Sequence, residues 1–244
     1  MTDSFEKQLK GEAALLGISL SPEQMEQFFL YARLLVEWNQ KMNLTAITEE
    51  GEIIRKHFVD SISLVKAFPG QLGEGELRLM DVGTGAGFPG IPLKILFPHW
   101  KADLLDSLNK RIRFLEEVSG QLGLKEIRAF HGRAEDYGKN PQFRQGYDLC
   151  VSRAVANLSS LSEYCLPFVK TRGFFISYKS GEVEEELKAA KRAVSILGGE
   201  IERVEKFSLP GGDDLRSLVV IRKVKATPEK YPRKAGLPSK EPLR

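Results

Sequence analysis

Apolar residues open the chain at helical spacing. Phe5, Leu9, Ala13 and Leu16 recur every three or four positions, which predicts an amphipathic helix. Ser21-Pro22-Glu23-Gln24 then predicts a helix start in which Ser21 caps, Pro22 fills the first turn and Gln24 closes a capping box. Phe28, Tyr31, Leu35 and Trp38 carry this second helix along one face. Polar residues at 39–47 break the pattern, and Ile53, Ile54, His57, Phe58, Ser61 and Leu64 predict a third helix. Residues 1–68 are expected to form a helical cap.

From Leu77 the texture changes to short apolar runs separated by helical stretches, the alternation of strands and crossover helices in a largely parallel sheet. Strands are expected at 77–82, 102–106, 127–131, 147–152 and 173–178, with helices at 91–97, 110–122, 158–169 and 183–197. Runs at 201–208 and 217–224 flank Pro210-Gly211-Gly212-Asp213 with no helix between them, so the sheet should finish with an antiparallel hairpin. Residues 69–225 form the expected α/β domain and 226–244 a tail.

At 244 residues, 42% hydrophobic and 28% charged, the chain fits one principal domain with an accessory segment, and disorder, collagen and coiled coil are excluded as global descriptions. No run reaches the roughly 18 apolar residues of a membrane helix, and Met1 to Lys7 lack the basic start and apolar middle of a signal peptide. A cytoplasmic protein with no membrane association is expected. Cys150, Cys165, His57, His99 and His131 lack metal-site spacing, so no metal is expected. Charge gathers at the carboxyl end. Residues 222–244 hold eight Lys or Arg against two acids and four prolines, which reads as a basic arm able to follow a phosphate backbone.

Asp81-Val82-Gly83-Thr84-Gly85-Ala86-Gly87-Phe88-Pro89-Gly90 follows the first strand and leads into a helix, placing glycines where a ligand must approach backbone closely. Residues 85–90 also fit the dinucleotide pattern G-x-G-x-x-G literally, which keeps a nicotinamide-dependent oxidoreductase in view. Charge and placement favour S-adenosylmethionine instead. The register fits Asp-x-Gly-x-Gly-x-Gly better, and a carboxylate at Asp81 suits a sulfonium and an ammonium but sits poorly beside a pyrophosphate. Asp106, ending the second strand, can accept from both ribose hydroxyls of either cofactor. Ala134 and Glu135, after the third strand, offer backbone to the edge of an adenine, and Arg153, after the fourth, is aimed at the pocket.

That fourth-strand segment, Ser152-Arg153-Ala154-Val155, lacks the Asn/Asp-Pro-Pro-aromatic turn used to methylate exocyclic amines. Cys150 and Cys165 fall inside a strand and a helix, as packing thiols do, and not where a nucleophile is needed. N7 of guanine has a free lone pair and needs no proton removed, so a site with no evident base agrees with a ring-nitrogen acceptor.

Together these residues resemble the bacterial ribosomal small-subunit methyltransferase G family, also called glucose-inhibited division protein B, over nearly the whole chain. The resemblance rests on the glycine loop, on residues 37–45 and His57-Phe58-Val59-Asp60-Ser61 in the cap, on Leu105-Asp106-Ser107, Lys110-Arg111, Arg133-Ala134-Glu135 and Ser152-Arg153-Ala154, and on the tail stretch 231–238. It implies a Rossmann-like class I methyltransferase with a mostly parallel seven-stranded sheet, transferring a methyl group from S-adenosylmethionine to guanine N7 in the 530 loop of 16S rRNA. It further implies that Gly83, Phe88, Ala134, Glu135 and Arg153 contact the donor, with Asp106 on the ribose; Asp81 and Gly85 complete the expected cofactor set. Arg153 is expected to orient donor and acceptor, with no general base. Charge and position, not the motif, suggest Lys110, Arg111, Arg233 and Lys234 as RNA phosphate contacts. Asn39, Lys41 and Asn43 are polar interruptions able to hold a base. His57 reads first as a packed helix residue. A monomer acting on 16S rRNA or a small-subunit precursor is expected, and a noncatalytic RNA-binding assembly factor is the remaining alternative.

Overall fold

The computed structural model describes residues 2–68, 75–154 and 156–244. Helices α1 (Asp3–Leu15) and α2 (Pro22–Met42) open the cap. The predicted capping box is present: Ser21 Oγ accepts from Gln24 N at 3.2 Å, and Gln24 Oε1 accepts from Ser21 N at 2.9 Å. The third helix is wound unevenly, as α3 (Glu50–Ile53), a π-helical turn (Ile54–Val59), α4 (Asp60–Ile62) and a 3-10 turn (Ser63–Ala67). A π turn inserts extra backbone into a helix and re-aims the side chains it carries, a device frequent at functional sites; here it carries His57.

Seven strands follow: β1 (Arg78–Val82), β2 (Lys101–Asp106), β3 (Ile127–His131), β4 (Tyr147–Ser152), β5 (Val169–Ser180), β6 (Gly199–Ser208) and β7 (Leu215–Lys223). They form one sheet in the order β3-β2-β1-β4-β5-β7-β6. The first five are parallel, and β7 pairs antiparallel with both β5 and β6, as the missing crossover helix predicted. Between them lie α5 (Gly90–Leu96), α6 (Asn109–Gln121), the short α7 (Ala134–Tyr137), α8 (Leu158–Cys165) and α9 (Glu184–Ile196). Most boundaries agree with expectation to within two residues, and the largest difference lies before β5. The helix predicted to reach 169 stops at Cys165, because Pro167 has no N–H to continue it, and a 3-10 turn (Leu166–Phe168) lets β5 begin four residues early.

Strand order reverses between β1 and β4, so the loops leaving these two neighbours diverge and open a crevice at the carboxyl edge of the sheet. The cap closes over that edge. Its Phe5, Phe28, Tyr31 and Phe58 share a single core with Phe88, Ile91 and Leu104 of the sheet domain, each large side chain contributing about 1.5 to 3 kcal/mol of burial. Gln24 Nε2 donates to the carbonyls of Ile95 and Leu96, which satisfies the end of α5 from the cap. The expected boundary between 68 and 69 adjoins residues outside those described, as does Val155 of the fourth-strand segment.

The tail corrects the expectation of a free basic arm. Residues beyond Lys225 fold back on the domain and end in α10 (Leu237–Lys240). Arg144 reaches across to donate to the carbonyls of Thr227, Pro228 and Tyr231. Buried Lys223 donates to Leu166 O, Val169 O and Thr227 Oγ1. Arg233 clamps the fully buried carboxylate of Glu163, Nε to Oε1 at 2.9 Å and Nη2 to Oε2 at 2.7 Å, while its backbone N donates to the same Oε1 at 2.7 Å. A buried carboxylate demands a partner, so this arginine is drawn into the fold and away from solvent.

Candidate active site at the carboxyl edge

The crevice holds a cavity of about 730 Å³, within the range of small-molecule and cofactor sites. Loops after β1, β2, β3 and β4 each supply part of its wall. The loop after β1 is fixed by Gly83 N and Thr84 N, which donate to Leu105 O at 2.9 and 3.2 Å. Gly85, at φ +62°, has open space where a Cβ would stand, so its backbone faces the cavity unshielded. From the cap, Tyr31 Oη donates to Ala86 O at 2.5 Å and its ring stacks on Phe88 at 5.3 Å.

Asp81 lies beneath this loop and not in the cavity wall, which corrects its expected place at the ligand. Its Oδ2 accepts from Thr84 Oγ1 at 2.7 Å and Gly90 N at 2.8 Å, so it ties the two ends of the loop together. Among the described residues its buried Oδ1 has no partner. Burial pushes the carboxyl up from 3.8 to about 7, against the opposing pull of the two hydrogen bonds and of Arg153.

Asp106 does line the cavity. Its carboxylate accepts from Gly85 N and Leu108 N, both at 2.9 Å, and pairs with Arg111 Nη1 at 3.1 Å. Arg111 is therefore paired with Asp106 at the cavity wall, with its side chain still partly exposed. Ala134 and Glu135 occupy the opposite wall at the start of α7, where no side chain caps the helix. Glu135 Oε1 accepts from Gly236 N at 2.7 Å, so the folded-back tail reaches the site. Gly236 and Ser239 complete the wall there.

Arg153, Phe88 and His57 form one stack. The His57 ring lies 4.4 Å from that of Phe88 at an interplanar angle of 10°, and the Arg153 guanidinium lies 5.0 Å from the same phenyl centroid. Arg153 Nη1 donates to Lys56 O and Asp60 Oδ2, both at 2.9 Å, and Nη2 faces His57 Nδ1 at 3.2 Å. A guanidinium only donates, so Nδ1 accepts and Nε2 carries the ring proton, which it donates to Thr45 Oγ1 at 2.8 Å. Burial and the neighbouring Arg153 charge push the imidazole down to about 3. His57 is thus both a packed residue and a neutral part of the cavity wall, a double role that helical periodicity alone does not reveal.

The polar break after α2 divides in function. Asn39 Oδ1 accepts from Leu44 N at 2.6 Å and Thr45 N at 2.9 Å, so Asn39 shapes the loop that presents Thr45. Asn43 takes φ 50° at the end of α2, a conformation asparagine tolerates, with its side chain exposed. Lys41 is exposed beside it, and exposed Lys110 donates to Met42 O at 3.2 Å, so these three gather next to the cavity mouth at Leu44 and Thr45. Lys234 is exposed on the tail. Thr45, Tyr164, Gly236 and Ser239 line the cavity without having been singled out. The uncharged residues inside the tail motif were the available signal, since a phosphate-binding arm has no use for them.

The family model described as rRNA small subunit methyltransferase G (GidB) matches residues 24–216. A curated relative with the name ribosomal RNA small subunit methyltransferase G, from Lachnoclostridium phytofermentans, is 55% identical over 93% of each chain. One of the same name from Acetivibrio thermocellus is 52% identical over 98% of this chain and 99% of its own. Among solved structures, M. jannaschii TYW2 in complex with AdoMet superposes with a TM-score of 0.51 at 13% identity, over 68% of this chain and 77% of that one. P. horikoshii TYW2 in complex with MeSAdo gives 0.52 at 12% identity, over 66% and 61%. At these identities the structural likeness concerns the fold alone.

Proposed function

Because this chain belongs to the rRNA small subunit methyltransferase G family, we propose that its crevice holds S-adenosylmethionine against a guanine of small-subunit rRNA. The enzyme is an S-adenosylmethionine-dependent rRNA methyltransferase. One observation carries the reading of the site: seven of the eight residues expected at the donor, drawn from four separate loops, line one cavity. The residues fit the group. Gly85 leaves open space for close backbone approach, Asp106 presents a carboxylate at the end of β2, and the α7 start is uncapped.

When bound, S-adenosylmethionine supplies a sulfonium methyl group. Gly83 and Gly85 would meet it through backbone, Asp106 through its ribose hydroxyls, and Ala134 and Glu135 at the adenine edge. Phe88 and Arg153, held by the cap, lie where donor and acceptor would meet. The guanine N7 lone pair attacks carbon with no proton to remove, so the side chains need only position the reactants and exclude water. His57 suits such a wall, because a neutral ring fixed in one tautomer adds no charge beside a purine that becomes cationic. Asp60 offsets the charge of Arg153 at the same place. Lys41, Asn43, Lys110 and Lys234 supply the exposed contacts to RNA, while Arg111 and Arg233 act inside the protein. A monomer acting on 16S rRNA or a small-subunit precursor in the cytoplasm completes the reading; among the described residues no helix is long and apolar enough to cross a membrane.

The test is incubation with labelled donor and small ribosomal subunits or their RNA, followed by nuclease digestion and mass spectrometry. Labelled 7-methylguanosine at one position is expected, and its absence in every substrate form ends the assignment.

A further inference from the structure

A second cavity of about 490 Å³ adjoins the first at the carboxyl ends of β4 and β5. The two share Arg153, Ala154 and Ala156, so the Arg153 side chain stands in their common wall. The second chamber alone is lined by Asp60, Arg216, Lys179 and Glu186.

These charges are not equivalent. Both oxygens of Asp60 are occupied, Oδ2 by Arg153 at 2.9 Å and Oδ1 by Arg216 Nε at 3.0 Å. Glu186 uses only one. Its Oε1 accepts from Leu158 N at 2.6 Å and Lys179 Nζ at 2.7 Å, while among the described residues Oε2 accepts nothing. The chamber therefore offers one unclaimed carboxylate oxygen away from the shared wall, and guanidinium donors on or beside that wall.

We propose that this chamber is the seat of the acceptor base and that Glu186 Oε2 selects guanine by accepting from its N1–H and 2-amino edge. The inference rests on the proposed guanine-N7 reaction and deepens it. With N7 turned toward the residues the two cavities share, O6 lies beside N7 and needs a donor, which Arg153 or Arg216 supplies. The N1–H and 2-amino group then lie on the far side and need an acceptor. Adenine reverses both demands, placing an amine against the guanidinium donors and the N1 lone pair against the carboxylate, so the same wall rejects it. Lys179 anchors Glu186 from Oε1 and through its bond to Ala156 O at 2.7 Å, and thereby holds Oε2 in place.

The experiment compares small-subunit rRNA carrying guanosine or inosine at the methylated position, inosine lacking only the 2-amino group. The wild-type enzyme should prefer guanosine by at least about tenfold in kcat/KM, the worth of one hydrogen bond to a charged group, expressed mainly in KM. In Glu186→Ala the ratio should fall to within about twofold of unity, with S-adenosylhomocysteine affinity unchanged. Each variant acts on both substrates, so loss of folded enzyme lowers both rates together and leaves their ratio intact. Should Glu186→Ala not fold, Glu186→Gln keeps an acceptor for Leu158 N, and its ratio should fall between the other two. Equal wild-type rates on the two RNAs, or full preference retained by the folded variant, overturn the inference. Failure of the wild type to methylate guanosine at N7 overturns the underlying reaction instead.

Discussion

Replacing Asp81 by asparagine should change stability in a pH-dependent way, more favourably in alkali than in acid. The carboxyl rises from 3.8 to about 7 on folding because it is fully buried, which corresponds to roughly 4 kcal/mol favouring its neutral form. Below pH 3.8 both folded and unfolded states are protonated and nothing is lost. As pH rises, the unfolded chain ionises while the folded one resists, so stability falls until pH passes about 7, where the loss is complete. The cost is roughly 2 kcal/mol at pH 5 and roughly 4 kcal/mol at pH 8. In Asp81→Asn the amide oxygen still accepts from Thr84 and Gly90, and the cost vanishes at both pH values. New amide protons at the site of the unpartnered Oδ1 offset part of the gain, about 1 to 3 kcal/mol, but equally at each pH. Urea unfolding of both proteins at pH 5 and pH 8 should therefore show a benefit about 2.5 kcal/mol larger at pH 8. A pH-independent difference refutes the argument. The natural aspartate has a use that offsets its cost: its field favours a cationic ligand once ionised. Donor affinity of the wild type should rise between pH 6 and 8, and that of the variant should stay flat.

Arg233→Ala leaves the Glu163 carboxylate buried without its guanidinium and should destabilise the fold by about 3 to 5 kcal/mol in denaturant unfolding. In rRNA binding the salt dependence should fall by about one phosphate contact for Lys234→Ala, whereas an unchanged stability and a reduced salt slope for Arg233→Ala contradict the clamp. Ring nitrogen shifts of His57 should report a neutral Nε2–H imidazole throughout pH 5 to 8, because burial and Arg153 push its pKa down to about 3. A titration centred near the ordinary histidine value breaks that assignment. Gly90→Ala should cost about 1 to 3 kcal/mol in thermal or urea unfolding and weaken S-adenosylhomocysteine binding, since the added carbon meets Leu104 Cδ2 at 2.3 Å and Asp81 Oδ2 at 2.8 Å. Wild-type stability in that variant shows that the loop has slack the structure does not suggest.

Local rules determined a great deal. Periodicity and turn residues located every strand, and the absence of a helix after α9 announced the antiparallel β6–β7 hairpin, because these depend on side chains a few positions apart. The glycine loop, Asp106, Ala134 and Arg153 were legible for the same reason: in a parallel sheet, residues just after strands must gather at one edge. What tertiary structure alone decided is which charges are spent inside. Arg111 and Arg233 look like unpaired charges until Asp106 and Glu163 are found opposite them, separated in sequence by 5 and 70 residues. Asn39 looks like an open polar break until its carbonyl is seen holding Thr45, and Asp81 like a cavity residue until it is seen under the loop. A charge in a sequence carries no record of its partner. Pairing is set by burial, where an unmatched carboxylate is too costly to leave, and burial exists only once distant segments have met.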